Sequence, residues 1–330
     1  MNEFEKIVEA IENEWEINTF KTIVEKEIPE QRFIVDGIIP TESICVLSGN
    51  PGLGKTWLLL QLCLDVSEGK NFLEKFPTKK TRVLLVDEER SQKETQRRLN
   101  LLGVKESDVL ITNLQGIRID IEENIDKLLK ICEENGIGFI VFDSLRAMNT
   151  LNENDSKDSQ IILNALKKFV RKGIGVLLSH HNRKETFMAS KEPGQALRGS
   201  TALSGGITSH ISLDKAELTK EGTELYLSHA KMNEGERIKP FRALFKELEG
   251  KITIEYLGEV EDEANKIGKA KEAILKLLAE KEMFNKEIVV ALIPLYFAER
   301  TIIRAINELK EDEEVLIRKE GTKIFYNVKK

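Results

Sequence analysis

Apolar residues fall into two kinds of run along this chain. Ile44-Cys45-Val46-Leu47, Val83–Val86, Phe139–Phe142 and Val176–Ser179 are short and nearly unbroken, the signature of strands buried on both faces. Between them, 57–66 reads as a helical run, 91–101 as a charged helix, and 121–135 and 160–172 repeat apolar positions every three or four residues. That period predicts amphipathic helices, closed by Gly136 and Gly173. Strands that alternate with helices predict a mostly parallel sheet covered on both faces. A short strand is expected at Leu110–Ile111. Strands near 207–213, 223–230 and 241–256 are expected to pair antiparallel. Residues 182–206 read as a long loop containing Gly, Ser and Lys.

The two ends have a different character. Residues 1–30 predict a helical segment with Phe4, Ile7, Val8 and Ile11 on one face. The acidic stretch 257–266, LGEVEDEANK, predicts a linker. Beyond it, helices are expected over Ile267–Ala279, from a cap at Asn285 to near Pro294, and over Ala298–Lys310. Strands at Val315–Ile317 and Ile324–Val328 flank Gly321. Three helices followed by a two-stranded hairpin predict a winged helix over 267–330, behind a core over 31–256.

Composition narrows the function classes. The chain has 330 residues, 41% hydrophobic and 32% charged, as expected of a globular protein. No apolar stretch approaches the roughly 20 residues that span a bilayer. Cys45, Cys63 and Cys132 are isolated and form no C-x-x-C, which predicts buried free thiols and a cytoplasmic protein. The net charge of −6 excludes a globally basic nucleic-acid binder but not a local basic surface. Residues 265–330 hold 14 Lys and Arg against 11 Asp and Glu, a net +3 that leaves −9 on the remainder.

The chemistry begins at residues 49–56, GNPGLGKT, which fit G-x-x-x-x-G-K-[ST]. Glycines let the backbone curl so that its N–H groups face phosphate oxygens. Gly49, Asn50, Pro51, Gly52, Leu53 and Gly54 form that cradle, with Trp57 just beyond it. Lys55 is placed to reach the β- and γ-phosphates, and the Thr56 hydroxyl to ligate Mg²⁺. A strand before the loop and a helix after it supply the setting that this motif needs, because the helix N-terminus adds its positive dipole end. ATP and Mg²⁺ are the expected ligands.

Three further strand ends carry polar groups. Asp143, after Phe139–Phe142, is a candidate second Mg²⁺ residue. Asp87-Glu88-Glu89, after Val83–Val86, offers a carboxylate to orient the attacking water, with Glu88 and Glu89 both candidates. His180 and His181, after Val176–Ser179, are candidates to sense the γ-phosphate. In the last predicted helix, Ile302, Ile306 and Leu309 form an inward stripe, and Arg300 and Arg304 share another face suited to a DNA groove. Lys319 and Lys323 sit near the hairpin tip.

In combination, FIVDGIIP (33–40), GNPGLGKT, RVLLVDEERS (82–91), FIVFDSLRAM (139–148), LLSHHNRK (177–184) and LRGSTAL (197–203) resemble the RecA-type ATPase core. The likeness is greatest to the RepA-like branch of hexameric helicases and its archaeal and phage relatives, over about residues 30–245. The resemblance implies a RecA-like α/β fold, Mg²⁺-dependent ATP hydrolysis and a ring or filament, expected here as a homohexamer acting on DNA. It aligns Glu89 with the family's catalytic glutamate and the His180-His181 pair, His181 favoured, with its sensor. It aligns Lys231 with the basic finger that completes a neighbouring subunit's site, although Asn233 stands where a second basic residue is usual. Arg198 and Arg237 are alternatives for that finger. It also places Arg146, Arg183, Lys184, Lys191 and Arg198 on loops that touch nucleic acid. The implied function is a helicase or a replication or recombination motor. An ATP-gated DNA-binding regulator and a protein-assembly ATPase are the alternatives.

Overall fold

A computed structural model of the chain describes residues 18–27, 32–151, 155–181, 201–260, 263–295, 297–321 and 323–328. Of the expected N-terminal helical segment, α1 (Phe20–Glu25) is described, capped by the Thr19 hydroxyl. Residues 1–17 lie outside the described residues. A small antiparallel pair, β1 (Phe33–Val35) and β2 (Ile39–Pro40), leads into the core.

The core alternates strand and helix. β3 (Ile44–Gly49) is followed by α2 (Lys55–Glu68), and β4 (Arg82–Asp87) by α3 (Gln92–Leu101). Then come β5 (Leu110–Asn113), α4 (Glu122–Asn135) and β6 (Ile137–Asp143). A 3-10 turn (Leu145–Met148), α5 (Ser156–Val170) and β7 (Gly175–His181) follow. After residues 182–200, which lie outside the described residues, come α6 (Thr201–Gly206), β8 (Ser209–Leu218), β9 (Thr223–Met232), β10 (Phe241–Leu248) and β11 (Lys251–Glu259). The helix punctuation is physical. Ser91 and Asp155 accept backbone N–H groups as N-caps, and Gly136 closes α4 in the left-handed conformation.

Among the described residues these strands form one nine-stranded sheet in the order β11-β10-β9-β8-β3-β7-β6-β4-β5. From β8 to β5 all neighbours are parallel, and β8 to β11 are antiparallel. Three expectations are corrected here. β8 joins β3 in parallel before the antiparallel run begins. Residues 241–256 belong to two paired strands, turned at Glu249-Gly250 with both residues at positive φ. Residues 201–206, expected as loop, are helical.

Unbroken apolar strands have a direct explanation. Cys45, Leu47, Leu85 and Val141 pack on one side with the apolar residues of α2. Ile44, Val46, Leu84, Ile140 and Phe142 pack on the other with α4 and α5. Alternate side chains enter separate cores, so neither face tolerates polar positions. Cys45, Cys63 and Cys132 are buried free thiols in these layers.

The C-terminal unit has its own core, with Ile274, Ile288, Leu292, Ile302, Ile306 and Tyr326 at its centre. It contains α7 (Glu263–Glu280), β12 (Met283–Phe284), α8 (Asn285–Leu292), α9 (Glu299–Glu311), β13 (Val315–Glu320) and β14 (Lys323–Val328). β12 adds a third strand to the hairpin, against β14. The linker expected at 257–266 is shorter, because β11 runs to Glu259 and α7 starts at Glu263. The cap of α8 is Phe284 rather than Asn285, with the Glu287 carboxylate accepting the Phe284 N–H.

Candidate nucleotide and metal site

Parallel strands in register bring their C-terminal tips to one edge. Gly49 of β3 lies beside His181 of β7, and Asp87 of β4 beside Asp143 of β6. The loop after β3 turns at Gly52 (φ 82°) and Gly54 (φ 93°), where the left-handed backbone favours glycine. Gly49 is required for another reason, since a Cβ there would stand 2.8 Å from the Leu213 carbonyl oxygen of β8.

The loop opens onto the N-terminus of α2, where Lys55 is 6% exposed and Thr56 7% exposed. The Lys55 ammonium donates to the carbonyls of Gly49 (2.7 Å) and Asn50 (3.1 Å) and to Nδ1 of His181 (3.1 Å). Burial lowers the Lys55 pKa, opposed by the nearby charges of Asp143 and Glu89. The Thr56 hydroxyl donates to Asp143 Oδ2 at 2.8 Å. That bond uses the hydroxyl proton and keeps its oxygen lone pairs for a cation. A hydroxyl and a carboxylate are the oxygen donors that magnesium takes from protein, with phosphate oxygens completing its shell. The donor set therefore fits Mg²⁺, which Thr56 and Asp143 would hold.

Adjacent glutamates diverge after β4. Glu88 turns away, its two carboxylate oxygens accepting the backbone N–H groups of Gln115 and Gly116, each at 2.9 Å. Glu89 faces the loop, accepting from the Ser144 hydroxyl and lying 3.3 Å from Nε2 of His181. Burial would raise its carboxyl pKa, but the hydrogen bonds from Ser144 and His181 and the Arg90 charge outweigh that and hold it below the ordinary value. An ammonium only donates and a carboxylate only accepts. Nδ1 of His181 therefore faces a donor and its Nε2 an acceptor.

The remaining candidates lie elsewhere. Trp57 packs edge-on against Phe245, with the Arg98 guanidinium 5.0 Å over its ring, so its indole serves packing. His180 occupies the β7 position in register with Ser48, on the strand that leads into the loop. Lys231 of β9 donates to the carbonyls of Ser204 (2.9 Å) and Gly205 (3.4 Å) at the end of α6. Burial lowers its pKa. Arg237 donates to the Ala230 carbonyl at 3.2 Å. Arg146 is exposed on the 3-10 turn. Arg183, Lys184, Lys191 and Arg198 lie outside the described residues. Arg300 and Arg304 are exposed on α9, and Lys319 and Lys323 are exposed on the hairpin. The Lys323 ammonium stands 4.8 Å over the Phe284 ring.

Two participants carry no obvious signal in the sequence. Ser144 follows Asp143 and reads as an ordinary strand exit. Arg90 reads as a solvated helix start, yet its Nη1 donates to Asp143 Oδ2 at 2.7 Å. A third relationship is also hidden. Ser48, just before the loop, shares a 2.7 Å hydrogen bond with His210 of β8, whose pKa burial pushes down to about 3.

A family model described as an AAA domain (AAA_25) matches residues 14–186, more than half of the chain. Among solved structures, a KaiC-like protein from the hyperthermophilic archaeon Pyrococcus horikoshii OT3 is similar at 16% identity with a TM-score of 0.46, over 69% of this chain and 95% of that one. No curated protein matched. Among the described residues no helix is long and apolar enough to cross a membrane.

Proposed function

The chain belongs to the AAA domain family of P-loop ATPases, and on that premise we propose that it hydrolyses ATP at the shared tips of β3, β4, β6 and β7 to drive work on DNA. One observation carries the hydrolytic part: Glu89, His181 and Lys55 form a continuous hydrogen-bonded series that ends at the phosphate loop. Lys55 and the loop amides bind the phosphates, and Thr56 and Asp143 hold the metal. Glu89 orients the attacking water, and His181 contacts the γ-phosphate. Magnesium, when bound, withdraws charge from the phosphate oxygens as a Lewis acid. Phosphoryl transfer depends mainly on positioning and on fixed charge, and these side chains supply both.

The DNA-directed part rests on the C-terminal unit, which we read as a winged helix whose α9 enters a groove. Arg300 and Arg304 are exposed one turn apart on that helix, with Lys319 and Lys323 on the neighbouring hairpin. We read the assembly as a homohexamer in which Lys231 reaches a neighbouring subunit's site, a role that requires it to leave the Ser204 and Gly205 carbonyls. Forked-DNA strand displacement and ATPase rate with and without single-stranded DNA, together with the mass of the assembly, test this reading. Strand-stimulated turnover in a sixfold assembly supports it, and a monomer indifferent to nucleic acid ends it.

A second reading, a protein-assembly ATPase, is favoured by the same unit's apolar surface. Ile303, between Arg300 and Arg304 in sequence, is 45% exposed, and Leu316 and Ile317 of β13 are 52% and 49% exposed. Such residues suit a protein partner better than a phosphate backbone. A full chain that hydrolyses ATP but binds no DNA would favour this reading.

A further inference from the structure

Asp87 and Asp143 stand side by side in register on adjacent parallel strands, and each is 2% exposed. Glu89 follows within two residues. Three carboxylates so close, two of them buried, need compensating positive charge. Arg90 provides it from within the chain. Its side chain is 13% exposed. Nη1 donates to Asp143 Oδ2 at 2.7 Å and to Asp87 Oδ2 at 3.2 Å, and Nη2 donates to Glu89 Oε2 at 3.3 Å.

The backbone is shaped for this. Asp87 Oδ1 accepts the N–H groups of Glu89 (2.9 Å) and Arg90 (3.0 Å), which folds the chain tightly over the tip of β4. The turn sends the guanidinium back to the next strand. There it meets the same Asp143 oxygen that accepts the Thr56 hydroxyl, so two donors fix the rotation of that carboxylate. A planar guanidinium can span three acceptors in this way, whereas an ammonium is a single point of charge.

We propose that Arg90 is the internal counter-ion of the metal site, a positioning residue that reserves the site for a divalent cation arriving with nucleotide and that keeps Asp143 and Glu89 aimed. The inference rests on the reading of Asp143 and Glu89 given above. With Lys55 and Arg90 against Asp87, Asp143 and Glu89, the formal charge of the group is −1. Without Arg90 it is −2, which attracts a bare divalent cation and repels a nucleotide anion. Arg90 thus fills, from within the chain, the electrostatic role that a second cation would otherwise take.

The test uses the full chain and Mn²⁺ alone, without nucleotide, followed by electron paramagnetic resonance. Arg90→Gln is expected to bind free Mn²⁺ about tenfold more tightly than the parent, because the group's formal charge falls from −1 to −2. Arg90→Lys keeps the charge and loses the span. It is expected to bind free Mn²⁺ as the parent does while its kcat falls about tenfold. Unchanged Mn²⁺ affinity in Arg90→Gln, or parental kcat in Arg90→Lys, overturns the proposal. If Arg90→Gln does not fold, the two Arg90→Lys readouts decide it. The nucleotide-free arm reads Arg90 without turnover. If Lys55→Ala abolishes hydrolysis while Arg90→Gln binds Mn²⁺ as the parent does, only the Arg90 inference falls. A parent that does not hydrolyse ATP sinks the functional reading instead.

Discussion

The Lys55 ammonium donates to Nδ1 of His181 across 3.1 Å and so joins the phosphate loop to the tip of β7. This contact makes His181 responsive to whatever Lys55 grips. On the reading proposed above, in which His181 contacts the γ-phosphate, the ring would donate a hydrogen bond to that phosphate. His181→Ala is therefore expected to lower kcat about a hundredfold, the cost typical of one lost charge-stabilising donor. ATP affinity should change far less, because the loop and Lys55 remain. Equilibrium nucleotide binding beside single-turnover hydrolysis separates the two, and equal losses in both would contradict the assignment.

Neighbouring glutamates give a sharp comparison. Glu89→Gln removes the carboxylate held by Ser144 and His181. Its turnover is expected to fall about 10²–10⁴-fold, the usual range for a lost general base. Glu88→Gln instead weakens the bonds to the Gln115 and Gly116 amides. It is expected to keep parental kcat and lose about 1 kcal/mol of stability. Steady-state ATPase and urea unfolding check both, and a kcat deficit that followed Glu88 would reverse the roles.

This pair also shows where sequence reading stops. The octet at 49–56 and the carboxylate after Phe139–Phe142 are legible because each is a local pattern with a local cause. The parallel order of the core is legible too, since doubly buried strands leave no polar face. Glu88 and Glu89 are identical in type and adjacent. Only the meeting of their turn with residues 115–116 and with β7 separates them. Arg90 is less legible still, because its strongest partner, Asp143, is 53 residues away. The parallel pairing of β8 with β3 likewise depends on long-range topology that local pattern does not encode.

Glycines of the loop should differ in kind. Gly49→Ala drives a Cβ to 2.8 Å from the Leu213 carbonyl oxygen, and neither strand can give way without disturbing the sheet. It is expected to lower stability by about 1–3 kcal/mol, as overpacking does, and to weaken nucleotide binding. Gly52→Ala meets no atom within 4 Å and bears only its left-handed backbone cost, about 1–2 kcal/mol. Because Gly52 packs against nothing, its cost should not depend on β8. Thermal unfolding of both variants beside Gly52→Asn tests this: asparagine, which tolerates the left-handed backbone, should recover part of the Gly52→Ala loss, whereas Gly49→Ala strikes a main-chain oxygen that no change of the Leu213 side chain removes.

Asp65 of α2 predicts a pH dependence. Burial raises its pKa from 3.8 to about 7, although Gln61 donates to it at 2.8 Å. The folded chain therefore holds this proton over a range in which the unfolded chain has released it. Between about pH 4 and 7 the folded state binds more protons, so stability falls as pH rises through that window. Asp65→Asn removes this dependence. It should be more stable than the parent at pH 8, on the order of 2 kcal/mol, and little different at pH 4. Denaturant titrations at the two values test the sign, and a parent–variant gap that does not grow with pH would refute it.

Lys55→Ala is the most direct measurement of all. The variant keeps the loop backbone and removes the ammonium that links Gly49, Asn50 and His181. In a side-by-side assay of ATP binding and phosphate release, hydrolysis is expected to become undetectable and ATP affinity to fall at least about tenfold. Parental phosphate release by Lys55→Ala would contradict the claim that these strand tips form the hydrolytic site.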